Sequence, residues 1–133
     1  MQRPKPHAGL RHLALFVENF DETLRFYIEL LGMSVEWQPD EDNYYLCSGC
    51  DNLALHRYRG QPRQPAAQRL DHLGFILRSP EEVDEWHAFL AANGVAIKAA
   101  PKTHRDGARS FYCLDPDGNL LQMIYHPPIA GAY

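Results

Sequence analysis

Two stretches decide how this chain is read: His12-Leu13-Ala14-Leu15-Phe16-Val17 and His72-Leu73-Gly74-Phe75-Ile76-Leu77. They match class for class and start 60 residues apart. In each, alternate residues are large and apolar: Leu13, Leu15 and Val17 in the first, Leu73, Phe75 and Leu77 in the second. A period of two is a strand signal, and the apolar set is the face that packs on a core. The other face mixes His12 or His72 with Ala14, Phe16, Gly74 and Ile76. Histidine and small residues leave room above a sheet, so the expected cleft lies there.

The flanking sequence repeats as well. After the first stretch, Asn19-Phe20-Asp21-Glu22 reads as a helix start with acids in its first turn. Leu24, Tyr27, Ile28 and Leu31 recur at helical spacing, and Gly32 is a natural stop. After the second, Ser79 caps a helix with Pro80 at its first position and Glu81 and Glu82 behind. Val83, Trp86 and Leu90 form its apolar stripe, and Gly94 ends it, 62 residues after Gly32. Strand-like runs follow each helix, at 33–38, 44–47 and 52–58, then at 95–99, 110–114 and 119–125.

The order β-α-β-β-β therefore occurs twice, and an internal repeat outranks any single-element assignment. It predicts an α+β fold in one domain. Repeat one spans about residues 9–58 and repeat two about 70–126, joined by a polar, Pro-bearing linker at about 59–69 and followed by a tail at about 127–133.

Composition agrees with one globular domain: 133 residues, 45% hydrophobic and 23% charged. The net charge is −4 with no basic run, which argues against nucleic acid as a partner. Apolar stretches fall well short of the roughly 20 residues of a membrane helix. The basic N-terminus, Met1-Gln2-Arg3-Pro4-Lys5-Pro6, lacks the apolar segment of a secretory signal. The expectation is a cytoplasmic, small-molecule protein that binds neither membrane nor nucleic acid. Three cysteines, Cys47, Cys50 and Cys113, do not suggest a disulfide framework. Cys47-Ser48-Gly49-Cys50 lacks a second ligand pair at zinc spacing and reads as a hairpin turn.

The sequence resembles the vicinal oxygen chelate superfamily, the glyoxalase, bleomycin-resistance and extradiol-dioxygenase group. The resemblance rests on His12, Phe26-Tyr27 with Leu30-Leu31-Gly32, His72, and Ser110-Phe111-Tyr112 through Asp115-Pro116-Asp117-Gly118-Asn119. It implies curled mixed sheets with helices on the outer face. In many members it also implies one divalent metal ion (Fe, Mn, Zn, Ni or Co) held by the opening and last strands of the halves. Carried over by position, this names His12, His72 and Gln122 as metal ligands. The corresponding position of the first half is Ala54, which cannot ligate. His56 lies two residues on, faces the same side, and substitutes if the register shifts. Gln122 stands where many members have Glu. It keeps an oxygen donor but removes a charge, which disfavours iron-dependent ring cleavage and leaves room for Lewis-acid chemistry.

His56 and Tyr112 are the candidates for proton transfer. Lys102, His104, Arg105 and Arg109 read either as a solvated loop or as a lid for an anionic group. Trp37, Tyr44 and Tyr45 read either as an aromatic wall or as ordinary sheet packing. His7, His87 and His126 read as structural or exposed. Two functions stay open. One is a metal-dependent enzyme of lyase or isomerase, transferase or dioxygenase type acting on a small oxygenated substrate. The other is a metal-free protein that sequesters an antibiotic-type ligand. Both imply a homodimer.

Overall fold

The computed structural model describes Pro4, Pro6, residues 10–62 and residues 70–131. The expectations for His7 and for most of the linker fall outside these residues. The chain divides between Arg59 and Gly60 into two compact units.

In the first unit the order is β1 (His12–Val17), α1 (Phe20–Arg25), a π-helical turn (Phe26–Leu30), β2 (Ser34–Asp40), β3 (Asn43–Cys47) and β4 (Asn52–Arg57). The sheet runs β1-β4-β3-β2, with β1 parallel to β4 and the other pairs antiparallel. The alternation seen in the sequence sets the faces. Val17, Leu53 and Leu55 are buried, while His12, Ala14 and Phe16 are exposed. Edge strand β2 takes Pro39 in a stretch of shifted register, where no ladder donor is lost.

The first helix differs from its expected stripe. Leu31 N–H bonds the Phe26 carbonyl at 3.1 Å, five residues back, so the helix gains a residue in its last turn. The buried face holds Phe20 and Thr23 of α1 with Phe26 and Tyr27 of the turn, and Leu24, Ile28 and Leu31 are only half-buried. Arg57 lies over the Phe20 ring at 4.3 Å. It also donates to Asp42 at 2.8 Å, as Arg59 does at 2.7 Å. The Arg59 guanidinium first, and Arg57 second, hold the Asp42 carboxyl below its ordinary range.

In the second unit the order is β5 (Leu73–Leu77), α2 (Pro80–Ala92), β6 (Ile97–Thr103), β7 (Arg109–Leu114) and β8 (Leu120–Tyr125). The sheet runs β5-β8-β7-β6, with β5 parallel to β8. The fold is therefore α+β, with two βαβββ modules and mixed four-stranded sheets, as the repeat implied. Ser79 caps α2 by accepting from Glu82 N–H at 3.2 Å. Val83 and Leu90 of α2 are fully buried. His87 is not a bystander: its ring stands edge-on to Phe111 at 5.3 Å. Strand β6 runs further than the sequence suggested, because Lys102 and Thr103 pair with Ser110 and Arg109 across a hairpin.

The closing turn is built on Asp115, which is 3% exposed. Its carboxylate accepts from Asp117 N–H, Asn119 N–H and the Asn119 amide at 2.9, 2.8 and 2.9 Å. Gly118 follows at φ +87°, a conformation that favours glycine. This turn fixes where β8 begins, and so the level at which Gln122 sits. Among the described residues no helix is long and apolar enough to cross a membrane.

Candidate functional site

The second unit brings three of the expected residues onto one sheet face. Gln122 is paired with Gly74 on one side and with Tyr112 on the other. Directly paired residues project to the same side of a sheet. His72 precedes β5 and lies two residues before Gly74, so alternation places it on that side too. Its ring stands edge-on to Tyr112, with centroids 5.6 Å apart. Gly74 carries no side chain above this level. A Cβ there would lie 3.6 Å from the Gln122 carbonyl oxygen, an ordinary contact, so the glycine opens space without being a steric necessity.

Hydrogen bonds orient the polar atoms. His72 Nδ1 donates to Asp71 Oδ2 at 2.5 Å, which leaves Nε2 as the lone-pair nitrogen. Gln122 Nε2 donates to Ser110 Oγ at 3.1 Å, which leaves its Oε1 as a donor atom for a cation. Ser110 is 2% exposed and its hydroxyl also meets His104 Nε2 at 3.0 Å.

The first unit carries the other expected residues. His12 is level with Asn52, and its Nδ1 donates to Asn52 Oδ1 at 2.8 Å. Asn52 in turn donates to Glu36 at 2.6 Å. His12 therefore also presents Nε2 as its lone-pair nitrogen. Ala54 is level with Ala14 and Tyr45, and buried. His56 is level with Phe16, four residues along the ladder from the His12–Asn52 pair, or about 13 Å by strand rise. That register does not bring His56 to the Ala54 level, so the expected substitution of one for the other has no support in the pairing. His56 Nδ1 donates to Asn43 Oδ1 at 2.6 Å, and its ring stands edge-on to Tyr45 at 5.9 Å.

The aromatic wall narrows to two residues. Trp37 stacks on Tyr45 at 5.0 Å, whereas Tyr44 points the other way and meets Phe20 at 5.8 Å. The basic loop resolves into a hairpin, and Arg109 is not directed at a ligand. It donates to Asp84 of α2 at 2.6 Å and to Thr103 at 3.0 Å. Cys47, Cys50 and Cys113 are free thiols, and Gly49 N–H meets Cys47 Sγ at 3.0 Å in the hairpin turn.

Sequence reasoning missed Asp71, Asn52 and Ser110 as partners. The signal was present for two of them: Asp71 adjoins His72, and Ser110 alternates with Tyr112 on one strand. Among the described residues no group of three or more His, Cys, Asp and Glu side chains could hold a metal ion. The expected set contains only two such residues, with an amide oxygen as the third donor. On the sheet face of the second unit, the His72 imidazole nitrogen and the Gln122 amide oxygen are donors of the kind a borderline divalent ion takes.

The profile of the glyoxalase/bleomycin resistance protein/dioxygenase superfamily matches residues 9–123. Metallothiol transferase FosB of Staphylococcus epidermidis is 25% identical over 115 residues, spanning 86% of this chain and 81% of that protein. Glutathione transferase FosA of Serratia marcescens is 27% identical over 115 residues, spanning 86% and 79%. The solved structure of lactoylglutathione lyase from Agrobacterium tumefaciens is similar in fold, with a TM-score of 0.75 at 22% identity, covering 91% of this chain and 96% of that one.

Proposed function

This chain belongs to the glyoxalase/bleomycin resistance protein/dioxygenase superfamily, and from that premise we propose that it is a divalent-metal-dependent enzyme acting on a small oxygenated substrate. The ligands proposed are His12, His72 and Gln122. One observation carries the reading: each has the nitrogen that would not ligate tied to a neighbouring acceptor, leaving one donor atom directed by the tie. Metal-binding histidines are held in this way, and the outer partner fixes the tautomer.

A bound ion would supply Lewis acidity that polarises a substrate oxygen. The protein's own contribution is orientation and a proton. Asp71 and Asn52 each accept from Nδ1 of their histidine, which leaves Nε2 as the nitrogen for a cation. Tyr112, on the face of His72 and Gln122, is the proposed hydrogen-bond donor to the substrate oxygen. His56 is the alternative proton carrier, on the first unit. FosB is named a metallothiol transferase and FosA a glutathione transferase, so a thiol is the first co-substrate to try. The proposed partner is a second copy of the chain.

Metal-free sequestration is the second reading. It is favoured by the stacked Trp37–Tyr45 pair, with Trp37 58% exposed and available to a flat ligand. Tag-free protein loaded separately with Fe, Mn, Zn, Ni and Co decides between the two. Near one equivalent of metal, lost in His12→Ala and in His72→Ala, supports the enzyme. No binding at micromolar metal favours sequestration.

A further inference from the structure

The Gln122 side chain is an ambiguous ligand: one end of its amide is an acceptor, the other a donor that repels a cation. A carboxylate has no such ambiguity. Something must choose which end faces the open side of the sheet.

The choice falls to Ser110. Its hydroxyl has one proton and lone pairs for acceptance, and it meets two groups, His104 Nε2 at 3.0 Å and Gln122 Nε2 at 3.1 Å. Where the proton goes to His104, only lone pairs remain for Gln122. The amide must then present its N–H to Ser110, and Oε1 is turned to the other side. Were the proton given to Gln122 instead, Ser110 would hold the oxygen, and the amine would face outward. Ser110 is 2% exposed, so water does not offer a ready third partner. The His104 end is braced: its N–H bonds the Ala108 carbonyl at 2.7 Å, and Asp106 accepts from Ala108 N–H at 3.0 Å.

We infer that Ser110 and His104 form a positioning pair that sets the orientation of the Gln122 amide, so that Oε1 rather than Nε2 serves as the metal-facing atom. This rests on the proposed ligand role of Gln122. Neither residue touches metal or substrate in this account. The pair compensates for having Gln at that position.

A double-mutant comparison tests it. Ser110→Ala frees the amide and should weaken Co(II) or Zn(II) binding by about ten-fold, measured by chelator competition. Ser110→Thr keeps a hydroxyl and should restore most of that loss. In a Gln122→Glu background both oxygens are equivalent, so Ser110→Ala should change affinity by less than about two-fold. A merely structural Ser110 would give the same loss in both backgrounds, and that result overturns the inference. A second readout needs no metal. The Gln122 side-chain amide protons should exchange slowly in the wild type and faster in both Ser110→Ala and His104→Phe. If the wild type takes up no metal yet shows this pattern, the ligand reading fails while the orienting pair stands. If His104→Phe leaves the exchange unchanged, the pair is refuted.

Discussion

Asp71 Oδ2 lies 2.5 Å from Nδ1 of His72, on the neighbouring residue. The Asp71 side chain is 89% exposed and takes no part in the core, yet it dictates which imidazole nitrogen keeps a lone pair. Asp71→Asn keeps the size of the side chain and removes the charge. It should weaken metal binding by about ten-fold and leave thermal stability within about 1 °C. Chelator competition and a melting curve together check this; equal affinity in the two proteins would remove Asp71 from the site.

Asp115 satisfies three donors in a turn that solvent barely reaches. Asp115→Ala strands those donors and should destabilise the protein by about 3 kcal/mol, given a cost of about 1–3 kcal/mol for each buried group left unmade and partial relief from water. Urea unfolding measures it. Because the turn sets the start of β8, metal affinity should fall in the same variant.

The Thr23 hydroxyl is buried with no hydrogen-bond partner among the described residues. Thr23→Val keeps the shape and removes the unsatisfied oxygen. It should raise stability by about 1 kcal/mol, seen as an increase of a few degrees in Tm. A fall in Tm would show that the hydroxyl does find a partner.

Burial first, and the Asp115 charge second, push the Cys113 thiol up from 9.0 to about 11. The fold favours the protonated form, so this contribution is complete below pH 9 and is lost as pH rises through 11. Wild type should lose about 2 kcal/mol more than Cys113→Ala between pH 8 and pH 11 in denaturant titrations. Parallel pH profiles would contradict the assignment.

The repeated strands, the capped second helix and the closing turn were legible because each rests on local chemistry: alternation, Ser79 before Pro80, and Asp115 with Gly118. Of the stripe expected on the first helix Tyr27 is fully buried, whereas the burial of Phe26 beside it goes with a π-helical turn that leaves no periodic mark in the sequence. Same-face alternation puts His56 two residues past Ala54 and is visible in sequence, whereas distance along the ladder needs the register with β1. Arg109 looked available because Asp84, its partner, lies 25 residues away in the chain. The face of His72 followed from strand alternation, and Tyr112 and Gln122 came from the family resemblance. The ties that direct them, to Asp71 and Ser110, required side-chain positions.

X-ray absorption on the zinc-loaded protein addresses the ligand set most directly. Two imidazoles and an amide oxygen predict a shell of nitrogen and oxygen near about 2.0–2.1 Å with outer scattering from two imidazoles, and no zinc uptake in His12→Ala or in His72→Ala. A sulfur shell near about 2.3 Å, outer scattering from fewer than two imidazoles in the wild type, or zinc retained in either variant would contradict that ligand set.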